Sequence, residues 1–370
     1  MLDGGWIETA FERVDRESFV PARAWVLDTE DPDRLWPVDR ARDGEAWRRA
    51  VWNPRKAVVT QLEDGRVPPG QGHVGLVSSS VSAPSIALRM LRELRLSPEH
   101  HVLEIGYASG YHTALLCERV GQRQVTAVEI DPELAAWGRD NLLRAGYAPC
   151  LVTGDGMAGC RSGAPYDRVI STASVRRVPP AWLAQASDGA WIVTPFGTAF
   201  SNLGLLGLRV DGGRARGRFL GRASYIWVRD HRPARRPGGL GPGDVNDRSA
   251  SPVDPDTVVE GSCFQDFVIG LRVPDIRWAR ETDDKEEKFL LLWDEAGTST
   301  ARVRRLDWWR SDAVVSCGPR RLWQEAVGAY TWYEANGRPC MTRCGVSVTP
   351  HGQWFWLDNP ERVIGPPMNT

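Results

Sequence analysis

The sequence holds no uninterrupted apolar run near the ~18 residues that a membrane span needs. Its first residues, Met-Leu-Asp-Gly-Gly-Trp-Ile-Glu, carry no basic segment leading into an apolar stretch. Neither a membrane partner nor a secretory signal is therefore expected. Charge of neither sign is in excess: 46 Lys and Arg stand against 47 Asp and Glu, a net charge of -1. That balance removes the global case for nucleic acid or an anionic membrane and leaves only local patches. Seven cysteines, at 117, 150, 160, 263, 317, 340 and 344, include no Cys-x-x-Cys pair. An odd number without paired spacing supports neither a disulfide framework nor a zinc site. Reduced thiols in a cytoplasm and no metal are the expectation. Nothing in the sequence specifies an oligomeric state.

What is present is a chain of 370 residues, 42% hydrophobic and 25% charged, the make-up of a globular protein of two or three domains. Tryptophan is plentiful, with 17, for core packing or for an aromatic binding surface. Residues 1–70 are cut into short pieces by Pro37, Pro54, Pro68 and Pro69 and read as an N-terminal cap with helices at Trp6–Val14 and Arg40–Trp52. Residues 71–229 read as the core. Strand signals at His101–Gly106, Gln124–Glu129, Leu151–Thr153, Asp167–Thr172 and Ala190–Pro195 alternate with helical stretches. Asp131 is an N-cap with Pro132 at the first helical position, and Gly146 suits the C-terminal cap. Repeated strand-helix-strand units predict an α/β fold with a parallel-rich sheet and helices on both faces. Leu203–Val210 and Arg218–Val228 flank Asp211-Gly-Gly213 as a hairpin. Residues 230–256, rich in Pro, Gly, Arg and Asp, read as a linker. Residues 257–370 read as a smaller C-terminal α+β domain, expected to recognise the substrate. Its strands are expected at Phe289–Trp293, Ala301–Leu306 and Ala313–Cys317, its helix at Arg320–Asn336, and a hairpin at 345–357.

Chemistry concentrates at three successive strand ends. The first ends Leu103-Glu104-Ile-Gly106-Tyr-Ala-Ser109-Gly110, a glycine-rich turn that lets a ligand approach the backbone closely. The second ends in Glu129, followed by Ile130; a carboxylate there can accept both hydroxyls of a ribose. The third leads to Gly154-Asp155-Gly156, where an acid beside glycine can take an adenine amino group. The turn lacks Gly-x-Gly-x-x-Gly and no Walker lysine follows, so NAD and ATP are poorer fits than another nucleoside ligand.

Ser80-Val-Ser82-Ala-Pro84, Val102 to His112, Val128-Glu129-Ile-Asp131, Gly154-Asp-Gly156, Pro165 to Ile170 and Pro195-Phe-Gly197 occur in the order found in protein-L-isoaspartate O-methyltransferases, which residues 10–230 resemble. The tail, with Gly318-Pro-Arg-Arg-Leu-Trp323 and Val348 to Asp358, resembles the extension of a bacterial subgroup that methylates an Asp in ribosomally made peptides, the ester then closing to an aspartimide. The resemblance implies a Rossmann-like class I methyltransferase fold and S-adenosyl-L-methionine as cofactor. Glu104, Gly106, Ser109, Gly110, Glu129, Ile130, Asp155 and Gly156 would line the cofactor site. Ser82, with Ser80 beside it, matches the serine placed next to the substrate carboxylate. The substrate would be a peptide or protein bearing Asp or isoaspartate. Ala108 stands where the family turn has its middle glycine, and Ser85 where repair enzymes have His.

Other readings are weaker. A nucleic-acid amino methyltransferase would carry Asn/Asp-Pro-Pro-aromatic at the fourth strand, which here ends Ile170-Ser-Thr-Ala. A binding module without catalysis has only Ala108 in its favour. His112 and Thr172 read as structural, the arginines from 214 to 236 as a solvated hairpin and linker, and Trp308-Trp309 and Trp354-Phe-Trp356 as packing.

Overall fold

The computed structural model describes residues 5–27, 34–68, 75–233, 245–259, 263–365 and 367–368. Arg235, Arg236 and the middle of the expected linker lie outside the described residues. Two compact units share the chain. The first is Met1–Ala173, Pro179–Thr194 and Gly207–Ala215; the second is Ser174–Val178, Pro195–Leu206 and Arg216–Thr370.

The first unit opens with helix α1 (Gly5–Arg13), strands β1 (Arg23–Leu27) and β2 (Leu35–Asp39), helix α2 (Gly44–Val51) and strands β3 (Val58–Leu62) and β4 (Val77–Val81). The strands form an antiparallel sheet in the order β2-β1-β3-β4, closed over Trp25, Leu35, Val59 and Leu62. Pro37 sits opposite Trp25 on β2, an edge strand, where a missing N–H leaves no ladder bond unmade. The two expected helices are present, the first shifted by one residue toward the N-terminus and the second starting four residues later and ending one earlier than read from the sequence.

Helix α3 (Pro84–Leu94) leads into β5 (Val102–Ile105), α4 (Tyr111–Val120), β6 (Val125–Glu129), α5 (Pro132–Arg144), β7 (Cys150–Thr153), β8 (Tyr166–Ser171), α6 (Pro180–Ala184) and β9 (Ala186–Gly197). Within the first unit these strands pair in parallel in the order β9-β8-β5-β6-β7. Counted along the chain, that is 3-2-1-4-5, the Rossmann-like order of class I methyltransferases, and β5 and β6 are buried on both faces. The sheet order reverses between β5 and β8, so a ligand crevice is expected at their carboxyl ends.

The second unit takes in half of β10 (Asn202–Asp211) and most of β11 (Arg214–Arg222), the two strands being joined at Gly212-Gly213. The second hairpin strand thus starts four residues earlier than the sequence reading placed it and ends six earlier. Then come β12 (Val245–Ser249), α7 (Pro255–Val258), α8 (Cys263–Gly270), β13 (Ile276–Thr282), β14 (Lys288–Asp294), β15 (Thr300–Arg304), β16 (Val314–Cys317), α9 (Leu322–Ala335), β17 (Cys344–Thr349) and β18 (Gly352–Leu357). An antiparallel sheet runs β12-β16-β15-β14-β13, and β17 pairs with β18. Phe196, Phe219, Phe267 and Phe355 meet edge-on or tilted, with centroids 4.8 to 5.7 Å apart. Trp356 is buried as expected, but Trp308-Trp309 lies in a turn rather than a strand, and Trp309 is 63% exposed. No helix among the described residues is long and apolar enough to cross a membrane.

One buried group in this unit makes stability depend on pH. His231 Nδ1 accepts the Arg176 backbone N–H at 3.0 Å, and burial pushes its pKa down to about 4, with Arg177 and Arg176 adding to the effect. A depressed histidine pKa stabilises the fold above the ordinary value of 6.5 and loses that contribution as pH falls toward 4. Unfolding free energy should drop by about 1 kcal/mol between pH 7 and 5.5, and His231→Gln should flatten that slope in denaturant titrations.

Candidate active site at the carboxyl edge of the parallel sheet

The turn after β5 is shaped by what surrounds it. Gly106 has φ +85, donates its N–H to the Val128 carbonyl at 2.8 Å, and accepts from Thr172 Oγ1 at 2.5 Å. Thr172, placed just after β8, thus ties the two strands at which the sheet order reverses. Gly110 has φ +83, and a β-carbon there would meet Leu142 Cγ at 2.7 Å. Ser109 is buried; its Oγ accepts from the Tyr111 N–H, and its carbonyl accepts from Asn141 Nδ2 at 2.9 Å.

Ala108 adopts φ +39, a left-handed conformation that costs a residue with a β-carbon roughly 1–2 kcal/mol. The departure from glycine therefore strains the backbone of the turn. Ala108→Gly should raise stability by about 0.5–1 kcal/mol, read as a higher Tm. It should also tighten binding of S-adenosylhomocysteine; an unchanged Tm and Kd would mean that the turn absorbs the alanine without strain.

Glu129 ends β6 and is 6% exposed. Oε2 accepts the Ala108 N–H and Oε1 the Asp131 N–H, each at 3.0 Å. The acid is therefore oriented by the same turn whose ligand it would hold. Asp131 Oδ1 caps α5 through Glu133 and Leu134. Its Oδ2 accepts from Gln61 Nε2 at 3.2 Å, and Gln61 Oε1 accepts from Ser78 Oγ at 2.9 Å. Ile130 presents an exposed apolar side chain directly after Glu129. Asp155 is exposed, with one oxygen on the Met157 N–H and the other without a partner among the described residues. Gly156 is buried; a β-carbon there would collide with Ile105, and its carbonyl accepts from Trp182 Nε1 at 2.8 Å.

Glu104 lies one residue before the end of β5. It is fully buried within β5, with Oε1 2.8 Å from His112 Nδ1 and Oε2 accepting from Thr113 Oγ1 at 2.5 Å. Its carboxylate ties the strand to α4. His112 and Glu104 thus form one structural pair.

The serine run resolves into two pairs. Ser78 Oγ donates to Gln61 and accepts the Asp64 N–H, and Ser79 Oγ accepts from Thr60 Oγ1 at 2.9 Å. Ser80 and Ser82 are half-buried, and neither hydroxyl has a hydrogen-bond partner among the described residues. The N-cap of α3 is Ala83, without a side-chain bond, so Ser82 is not a capping residue.

Three residues escaped the sequence reading. Gly138 lies in mid-α5, where a β-carbon would collide with the Ala108 carbonyl; a lone glycine inside a helical pattern was its only signal. Gln61 and Arg16 carry no local signal at all.

The edge suits a nucleoside bearing a sulfonium amino acid: an acceptor pair for ribose at Glu129, an open acceptor at Asp155, an apolar cover at Ile130 and glycine backbones that admit close approach. Among the described residues no cluster of His, Cys, Asp or Glu could hold a metal ion.

The family profile described as "Protein-L-isoaspartate(D-aspartate) O-methyltransferase (PCMT)" matches residues 54–226. The curated protein-L-isoaspartate O-methyltransferase of Hyperthermus butylicus is 36% identical over 202 residues, 50% of this chain and 79% of that protein. That of Ignicoccus hospitalis is 37% identical over 149 residues, 40% of this chain and 68% of that protein. A solved structure described as protein-L-isoaspartate O-methyltransferase aligns with 93% of this chain and 92% of its own, at 18% identity and a TM-score of 0.48. The chain belongs to the protein-L-isoaspartate O-methyltransferase family, enzymes that transfer a methyl group from S-adenosyl-L-methionine to a protein carboxylate.

Proposed function

We propose that this chain methylates the side-chain carboxylate of an unmodified Asp in a ribosomally made peptide, with Ser82 steadying that carboxylate. The observation that carries the placement is the unspent hydroxyl of Ser82, beside the start of α3, where the partial positive helix end favours an anion. Ser80 offers a second hydroxyl two residues earlier on β4.

An Asp side chain has an ordinary pKa near ~3.9 and is already ionised at pH 7, so no general base is needed to make it a nucleophile. The bound cofactor supplies an electrophilic methyl group. The protein's work is positioning. Glu129 would accept from the ribose hydroxyls, Asp155 from the adenine amino group, and Ile130 would cover the adenine. Gly106 leaves room along the methionine part. Ser82 donates to the idle carboxylate oxygen and so turns the other toward the methyl carbon. In the resulting methyl ester, the next backbone amide nitrogen attacks the ester carbonyl, loses its proton and expels methanol, leaving an aspartimide.

Two features favour unmodified Asp. Ser85, exposed in the first turn of α3, stands where repair enzymes have His, and the chain continues to residue 370 beyond a family match that ends at 226. A cytoplasmic setting, where precursor peptide and cofactor meet, suits this reading. The names of the relatives favour a second reading, repair of isoaspartyl residues. Incubation with a normal-Asp precursor and with an isoaspartyl peptide separates the two. Methanol release and a mass loss of one water from the normal-Asp peptide are expected; turnover of the isoaspartyl peptide alone would assign repair.

A further inference from the structure

A fully buried guanidinium lies against the Ser82 corner and serves none of the roles described so far. Arg16 begins a short 3-10 turn, Arg16–Phe19, and is 0% exposed. Its Nε donates to the Val51 carbonyl at 2.8 Å. Its Nη2 donates to the carbonyls of Ser82 at 2.7 Å and Val81 at 3.4 Å. The ring of Tyr111, the first residue of α4, lies 4.8 Å from the guanidinium carbon. No carboxylate pairs with Arg16 among the described residues, and its Nη1 is buried without a hydrogen-bond partner. Burial pulls its pKa below the usual value, with Tyr111 opposing.

Such a group is costly to the fold. A charge taken out of water with no counter-ion loses more solvation than a few carbonyl bonds return. A neutral side chain of similar length would fill the same space at less cost, so stability alone does not account for a cation here. Its location does. The guanidinium holds the carbonyl of the residue whose hydroxyl faces the acceptor, and the acceptor is an anion.

Resting on the proposed function above, we infer that Arg16 is a positioning residue for methyl transfer: by clamping the Val81 and Ser82 carbonyls it fixes the Ser82 hydroxyl, and its uncompensated charge makes the corner selective for an anionic acceptor.

Arg16→Gln and Arg16→Lys in the full chain test this, alone and combined with Ser82→Ala. Methyl incorporation into the acceptor peptide gives kcat and KM, calorimetry the Kd for S-adenosylhomocysteine, and a thermal scan the Tm. Arg16→Gln should lower kcat/KM by about tenfold to a hundredfold. It should leave the Kd unchanged and the Tm equal or higher, because it removes an unpaired buried charge. Arg16→Lys, which keeps the charge and one donor, should recover part of the loss. The combination with Ser82→Ala should be no worse than the poorer single variant, as expected of groups acting through one another. Wild-type kcat/KM in Arg16→Gln would overturn the inference. So would additive losses, a parallel loss of cofactor affinity, or a loss of turnover that merely tracks a loss of folded protein. A wild type that binds S-adenosylhomocysteine but esterifies no carboxyl peptide would instead overturn the proposed function, and this inference with it.

Discussion

Glu129→Ala should raise the Kd for S-adenosylhomocysteine by at least about a hundredfold, because two hydroxyl bonds to a carboxylate contribute about 1.5–3 kcal/mol each. The same change should lower the Tm. Each carboxylate oxygen accepts a backbone N–H, from Ala108 and from Asp131, and truncation leaves both donors unsatisfied in a buried place. Calorimetry and a thermal scan read the two effects separately. Glu129→Gln, which keeps one acceptor oxygen, should fall between the wild type and alanine in both. A Glu129→Ala protein that bound the cofactor product normally would move the ribose site elsewhere on the sheet.

Ser82→Ala should lower kcat/KM roughly ten- to a hundredfold, the loss of one hydrogen bond to a charged acceptor, while sparing cofactor affinity. Ser79→Ala is the matched control, since its hydroxyl is spent on Thr60 within the antiparallel sheet. It should cost stability and leave turnover per folded molecule intact. If Ser80→Ala rather than Ser82→Ala depressed turnover, the neighbouring hydroxyl would be the one that meets the acceptor.

The Rossmann-like core was legible because its strands are buried on both faces and end in glycine or acid. Val102–Ile105 and Val125–Glu129 read as largely apolar runs closed by Gly106 and Glu129, and spacing alone brought these two ends to one edge. The antiparallel sheet of the first 81 residues was not legible. Its strands are five residues long and one carries Pro37, which is harmless only because β2 is an edge. Ile276–Thr282 escaped for a related reason: its half-buried pattern of Arg, Trp and Glu gives no clean alternation. At the site, residues acting through the backbone near them in sequence could be anticipated. Gln61 reaches Asp131 across 70 residues, and Arg16 reaches Ser82 across 66, and no local pattern encodes such meetings. Ser80 and Ser82 could be picked from the serine run only by the family resemblance; the structure adds that Ser78 and Ser79 are already engaged.

The interleaving of the two units along the chain has a consequence for anyone dissecting the protein. The four-phenylalanine cluster of the second unit draws Phe196 from the end of β9 and Phe219 from β11, and Phe267 and Phe355 from the tail. Cutting the gene after the expected linker would strip two rings from that cluster and leave the other two facing water, creating an adhesive apolar surface on an otherwise intact catalytic fragment. The tail is thus not a detachable module. Swapping it for that of a relative would require exchanging residues 174–178, 195–206 and the segment from 216 onward as well, so that the core of the second unit is inherited whole.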